Sequence, residues 1–254
     1  MSLMRAVLFA ALALALCGCD QPPSEAASGN TAERPQTSTF NVLAVSWQPA
    51  FCETAPGKPE CQNQNPDRFE ADHFALHGLW PGERGTEYCG VNEANETADR
   101  RGQWDRLPAP SLTTATAREL ETVMPGTRSA LERHEWIKHG TCYGGGAELY
   151  FADSLALLAA LNESGVRDLF AGSIGSTLQA DDIRAAFDAA FGDGTGDRVT
   201  VECEDDGDRR LVVELRLALT GSIGAPPALG ALLRAGPTRS RGCPQGIVDA
   251  VGLQ

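Results

Sequence analysis

The chain has 254 residues, 42% hydrophobic and 22% charged, a length and composition that can bury a sizeable core. Its formal charge of −13 excludes a protein that coats nucleic acid by general attraction, because that role needs a basic surface. An enzyme needs positive charge only where its substrate reacts, so the acidity leaves nucleic-acid chemistry open.

Met1 to Arg5 carries one positive charge, and Ala6 to Leu16 is an apolar run too short to span a bilayer but of signal-sequence length. It closes on Leu16-Cys17-Gly18-Cys19, which resembles the lipobox of bacterial lipoproteins. Residues 1–19 are therefore expected to be a lipoprotein-type signal peptide with Cys19 as the lipidated residue; an ordinary cleaved signal peptide is the alternative. Either reading implies export, to the periplasm, to a membrane facing it, or beyond. Residues 20–38, rich in Gln, Pro, Ser and Glu, have no hydrophobic period and are expected to form a flexible linker. Residues 39–254 are expected to form one domain.

Phe40 to Trp47 predicts a strand, 49–67 a loop, and Phe74 to Leu79 a second strand closed by Pro81-Gly82. Residues 82–110 are polar and rich in glycine. Ser111 can cap a helix through about Val123, and Ser129 a second through about His139, ended by Gly140. Helical periodicity returns at 147–162 and 179–191. Arg198 to Cys203 and Arg209 to Leu219 alternate as strands around an acidic turn at Glu204 to Asp208. Strands and helices without a strict βαβ repeat point to an α+β fold. Outside the leader six cysteines remain: Cys52, Cys61, Cys89, Cys142, Cys203 and Cys243. An even set on an exported chain implies disulfides, but the sequence alone leaves their pairing open.

Three of the four histidines fall in two dense contexts, Phe74-Ala75-Leu76-His77-Gly78-Leu79-Trp80-Pro81 and His134-Glu135-Trp136-Ile137-Lys138-His139-Gly140-Thr141-Cys142. On a helix at about 100° per residue, His134, Lys138, Glu135 and His139 span one broad face, with Trp136 and Ile137 behind it. Such a face presents charge to a partner; its bland alternative is a solvated helix surface. Zinc is disfavoured, because the histidines stand at i and i+5, about 140° apart, where a chelating pair needs i and i+4.

The first of these segments resembles the first active-site segment of the T2 ribonucleases, and the second resembles the second residue for residue. The resemblance covers about seventeen residues and implies a T2 fold, a central antiparallel sheet packed with several helices. It implies an endoribonuclease that cuts single-stranded RNA through the ribose 2′-hydroxyl to a 2′,3′-cyclic phosphate and then a 3′-phosphate, without metal or cofactor. His139 would be the general base and His77 the general acid. His134 would hold the phosphate, with Lys138 and Glu135 stabilising the transition state. Two imidazoles suit such work because histidine titrates near neutral pH. DNA, lacking the attacking hydroxyl, would not be cut. The resemblance also pairs Cys89 with Cys142 and Cys203 with Cys243, which leaves Cys52 with Cys61. A non-catalytic RNA-binding or stress protein on the same fold is the alternative, although none of the histidines is missing.

Trp80 is either a platform for a base or a core residue. Some members of the family carry an aspartate after the Trp-Pro pair; Gly82 stands here, so low base specificity is expected. Trp47 and Trp104 are expected to pack in the core or on the surface, and His73 beside Asp72 to be structural. The abundant carboxylates are expected to favour protonated imidazoles and place the pH optimum below 7. The chain is expected to act as a monomer, touching membrane only through its lipid.

Overall fold

The computed structural model describes residues 37–82 and 85–253. The signal segment 1–19, Cys19 and nearly all of the linker lie outside the described residues. Ser38, expected to be the last residue of the linker, is tied into the fold. Its N–H donates to the carbonyl of Tyr143 (2.8 Å), and its hydroxyl accepts from the N–H of Gly82 (3.2 Å).

The elements follow in the order β1 (Phe40–Ser46), α1 (Gln48–Thr54), β2 (Ala75–Pro81), α2 (Glu93–Arg100), α3 (Thr114–Val123), α4 (Leu131–Lys138), α5 (Gly146–Asn162), α6 (Gly165–Gly172), β3 (Thr177–Gln179), α7 (Ala180–Phe191), β4 (Val199–Asp206), β5 (Arg209–Thr220), α8 (Leu229–Ala235) and β6 (Gln245–Ile247). The class is α+β. The strands run β2-β1-β5-β6-β3, with β4 on the other edge of β5. The sheet is antiparallel except where β6 joins β5 in parallel, at Leu211↔Ile247, so it is mixed rather than purely antiparallel.

Two expected caps are corrected. Thr113, not Ser111, caps α3, its hydroxyl accepting from the N–H of Thr116 (3.3 Å). Ser129 gives its hydroxyl to Glu60 instead of capping α4, which starts from Ala130 in the left-handed region (φ 59°). The expected loop at 49–67 opens with α1, for which Pro49 in the first turn is a compatible start. The acidic turn shrinks to Gly207-Asp208, because Glu204 to Asp206 remain paired with β5.

Alternation along β1 divides the molecule. Leu43 and Val45 pair with Leu217 and Leu215 on one face. That face packs in the core with Tyr150, Phe151 and Leu157 of α5 and the Trp47–Phe74–Phe170 ring cluster, whose neighbouring centroids lie 5.6 and 4.7 Å apart. The other face carries Ala44, Ser46, Glu214 and Arg216.

Three disulfides join Cys52 to Cys61, Cys89 to Cys142 and Cys203 to Cys243. The second spans 53 residues and pins the segment before α2 to the end of α4. Beside it the N–H of Tyr88 donates to the carbonyl of Lys138 (2.9 Å). Closing a loop of this length is worth about 4 kcal/mol on chain entropy alone. The double substitution Cys89→Ala and Cys142→Ala is expected to lower unfolding free energy by about 2–4 kcal/mol in a urea titration. An unchanged midpoint would show that the bridge constrains nothing.

Candidate active site

The site forms where the polar face of the sheet meets α4. Along β1–β2, Ala44 pairs with Gly78 and Val45 with Leu76, so His77 is the extra residue of a β-bulge. A bulge shifts the alternation of side chains by one residue. His77 and Trp80, three apart and thus on opposite faces of a regular strand, therefore come together with ring centroids 5.4 Å apart. Small residues make the room: Gly78 and Ala44 lie side by side across β2 and β1, with Arg216 next in the row on β5. A β-carbon on Gly78 would overlap the carboxylate of Glu135, so only glycine lets α4 approach this closely.

From α4, Glu135 descends into this gap and is almost wholly buried, at 1% exposure. Its Oε2 accepts from the indole N–H of Trp80 (3.0 Å). Its Oε1 lies 3.6 Å from Nε2 of His77 and 3.8 Å from Nε2 of His134, with no hydrogen-bond donor of its own. His134 donates through Nδ1 to Oδ1 of Asp99 on α2 (2.7 Å), and Asp99 also accepts from the hydroxyl of Tyr88 (2.8 Å). Trp104 stacks on the other side of His134 at 4.4 Å. His139 follows the last turn of α4, buried, with its ring 5.5 Å from Trp80 and 6.4 Å from His134. Lys138 stands at the rim, 3.7 Å from Glu87. Across the sheet, His77 donates through Nδ1 to Oε2 of Glu214 in a short hydrogen bond.

These surroundings drive two imidazoles apart. Burial, then the charges of Lys138, His134 and His77, push His139 down to about 3, so it is neutral at ordinary pH. Burial alone would also lower His77, but its hydrogen bond to Glu214 and the charges of Glu214 and Glu135 outweigh burial and Arg216, holding it above the ordinary 6.5. Burial would raise Glu214; the bond to and charge of His77, with Arg216, overcome it and keep the carboxylate ionised. Burial raises Glu135, partly offset by His77, His134 and the N–H of Trp80. The expectation that acidic composition favours every protonated imidazole thus fails at His139, where burial and nearby cations decide.

Residues 38–223 match the model of the Ribonuclease T2 family. The chain belongs to this family. It is 30% identical over 214 residues to Ribonuclease I of Escherichia coli, covering 76% of this chain and 79% of that one. It is 31% identical over 106 residues to a ribonuclease of Aeromonas hydrophila, covering 41% and 38%. Among solved structures, SF11-RNase of Nicotiana alata superposes with a TM-score of 0.50 at 18% identity, over 81% of this chain and 92% of that one. A variant of RNase MC1 solved with 5′-UMP gives 0.50 at 19% identity, over 73% and 89%. At these identities the two structures share the fold.

In this T2 ribonuclease the family match spans every residue of the site, from His77 to Arg216. The structure brings His77, Trp80, His134, Glu135 and His139 together. Trp80 is a half-buried wall of the site rather than a core residue, while Trp47 is fully buried. The single charged face expected of α4 is corrected: Glu135 points down into the protein and Lys138 out to Glu87. Trp104, expected to serve only packing, lies against His134. His73 pairs with Asp72 and stacks on Phe69, a structural role.

The sequence missed Asp99, Glu214 and Arg216. A signal existed for the last two, since they are ionisable residues two apart inside the apolar run from Leu211 to Leu219, hence on one face of a central strand. Asp99 lies among other charged residues of α2 and had none. A cavity of about 410 Å³ opens beside His77 and is lined by Ser46, Gln48, Phe51, Lys58, Trp104 and Glu214, among others. A wider groove of about 800 Å³ runs along α3 and contains none of the imidazoles.

Proposed function

We propose that this T2-type endoribonuclease cleaves single-stranded RNA by transesterification, with His139 as base and His77 as acid. The observation that carries this reading is the placing of two imidazoles beside one tryptophan with opposite protonation preferences. Environments that push two titratable groups apart assign the base to the depressed one and the acid to the raised one.

His139 takes the proton of the 2′-hydroxyl, and the 2′-oxygen bonds to the adjacent phosphorus. The bond from phosphorus to the 5′-oxygen breaks, and that oxygen takes the proton from Nε2 of His77. The 2′,3′-cyclic phosphate is then opened by water with the two roles exchanged, leaving a 3′-phosphate. His134 holds the phosphate and Lys138 supplies positive charge for its oxygens, while Glu135 holds the neighbouring imidazoles and Trp80. Trp80 offers its exposed part to a base by stacking, which tolerates any base. The cavity beside His77 has room for the leaving nucleoside. DNA has no 2′-hydroxyl and is not a substrate, and no step calls for a metal. The apolar run at 6–16 and the three disulfides support an exported protein, with Cys19 its lipid anchor to a membrane facing the periplasm, acting as a monomer.

Digestion of end-labelled RNA in EDTA is expected to give fragments with 2′,3′-cyclic ends that convert to 3′-phosphates. Abolition of cleavage by the chelator would overturn the metal-free mechanism. RNA retarded by the protein but undiminished in length would overturn catalysis.

A further inference from the structure

We propose that Glu214 is the positioning residue of the general acid: its carboxylate holds His77 in the one tautomer and orientation that present Nε2 to the substrate. The inference rests on the reading of His77 as the acid.

Glu214 is an unusual residue for its place. Its side chain is 9% exposed on a central strand, between Val213 and Leu215, and burying a carboxylate is costly unless both oxygens are occupied. Here they are. Oε2 accepts from Nδ1 of His77, and Oε1 accepts from Nε of Arg216 at 2.6 Å. Arg216 is fixed in turn by Glu202 of β4 at 3.0 Å and lies 5.3 Å from the centre of the Trp80 ring. The carboxylate therefore cannot rotate away without breaking the arginine contact.

The chain path adds a second argument. β5 is irregular beside Glu214, because Glu202 pairs with Glu214 while Cys203 pairs with Val212, leaving Val213 unmatched. Two irregularities, at His77 in β2 and Val213 in β5, thus flank one hydrogen bond that crosses over β1. Bulges re-aim side chains, and the one at His77 turns its imidazole towards the face where unbroken β1–β5 alternation already places Glu214 beside Arg216.

An ionised carboxylate only accepts, so Nδ1 of His77 keeps its proton whatever the state of the ring. The proton that comes and goes is then confined to Nε2, which faces the site 3.6 Å from Oε1 of Glu135. After giving that proton to the 5′-oxygen, His77 is left neutral with a lone pair on Nε2. That is the form needed to take a proton from water when the cyclic phosphate opens. A carboxylate that holds a working histidine in this way acts through orientation and tautomer, not by taking the proton itself.

The charged groups nearest His77 are Glu214 and Arg216 from β5 and Glu135 from α4, with His134 and His139 beyond Glu135; Glu202 and Glu204 of β4 and Lys58 and Glu60 from the segment after α1 line the cavity beside it. Glu214 and Glu135 favour the protonated ring, and Arg216 opposes it. Removing the charge of Glu214 takes away its pull on the protonated ring and leaves Glu135 alone against burial and Arg216, so His77 should lose its proton at lower pH.

The test compares Glu214→Gln, Glu214→Asp and His77→Ala on two substrates. One is a diribonucleotide. The other is a nucleoside 3′-(4-nitrophenyl phosphate), whose leaving group departs without needing a proton. Glu214→Gln is expected to lower kcat/KM on the diribonucleotide by at least about tenfold, with a much smaller fall on the nitrophenyl ester, and to move the alkaline limb of the pH profile to lower pH. Glu214→Asp should fall between Gln and wild type, and it decides by the same ratio if the Gln variant does not fold. Equal falls on both substrates with an unmoved limb, or no fall at all, would overturn the role of Glu214. Equal falls for His77→Ala would instead overturn the reading of His77 as the acid.

Discussion

Replacing His139 by alanine is expected to lower kcat/KM for RNA by roughly 10²- to 10⁴-fold, the range for loss of a general base. His139 follows the last turn of α4, 7% exposed, with Trp80 on one side and His134 on another. Its depression to about 3 keeps its lone pair free for the 2′-hydroxyl proton. The same pair of residues sets the pH dependence. Protonating His139 removes the base as pH falls towards 3, and deprotonating His77 removes the acid as pH rises through its elevated value. Both are in their working forms only between these limits, so the wild-type optimum falls on the acid side of 7. Steady-state rates across this range check both statements. A variant losing less than tenfold, or a wild-type maximum above about pH 8 where an ordinary histidine is neutral, would contradict the assignment.

Much of the site was legible because its chemistry is concentrated in two short stretches with high information per residue. His77 and Trp80 share one stretch; His134, Glu135 and His139 share the other. Their convergence was legible only through the family resemblance, since nothing in strand periodicity announces the bulge at His77. The partners that set protonation were another matter. Glu214 is 137 residues from His77, and Asp99 is 35 from His134. Such pairings are properties of strand register and helix packing, and no local pattern encodes them.

The fold shows the same division. The long apolar helix α5, the amphipathic α7 and the strands β1, β4 and β5 were visible from their sequences. Helix α2, Glu-Ala-Asn-Glu-Thr-Ala-Asp-Arg, has no apolar stripe and was not. It forms because Asn92 caps it, accepting from the N–H of Asn95 at 2.9 Å, and because Asp99 is drawn inward by His134 and Tyr88. Strands β3 and β6 are three residues each, too short to show a period.

Gly78 joins fold and chemistry at one atom, and Gly78→Ala is expected to damage both. The added methyl would overlap Oε2 and the carboxyl carbon of Glu135 and lie 3.0 Å from Nε1 of Trp80. Glu135 cannot swing aside cheaply, being buried with one oxygen bound to Trp80 and the other between two imidazoles. Relief requires α4 to move outward or Glu135 to release Trp80. Overpacking of this kind costs about 1–3 kcal/mol, read as a lower urea midpoint at unchanged slope. Displacing α4 by even about 1 Å also moves His134 and His139, and misplacement on that scale costs roughly 10²-fold in rate. If the clash with Glu135 is the cause, Glu135→Ala in the same chain removes it. The double variant should then be more stable than the two single costs predict, while activity stays low because the buried carboxylate is gone. Costs that simply add would mean that residue 78 and Glu135 do not compete for the same space, and the account of why glycine stands between His77 and Leu79 would fail.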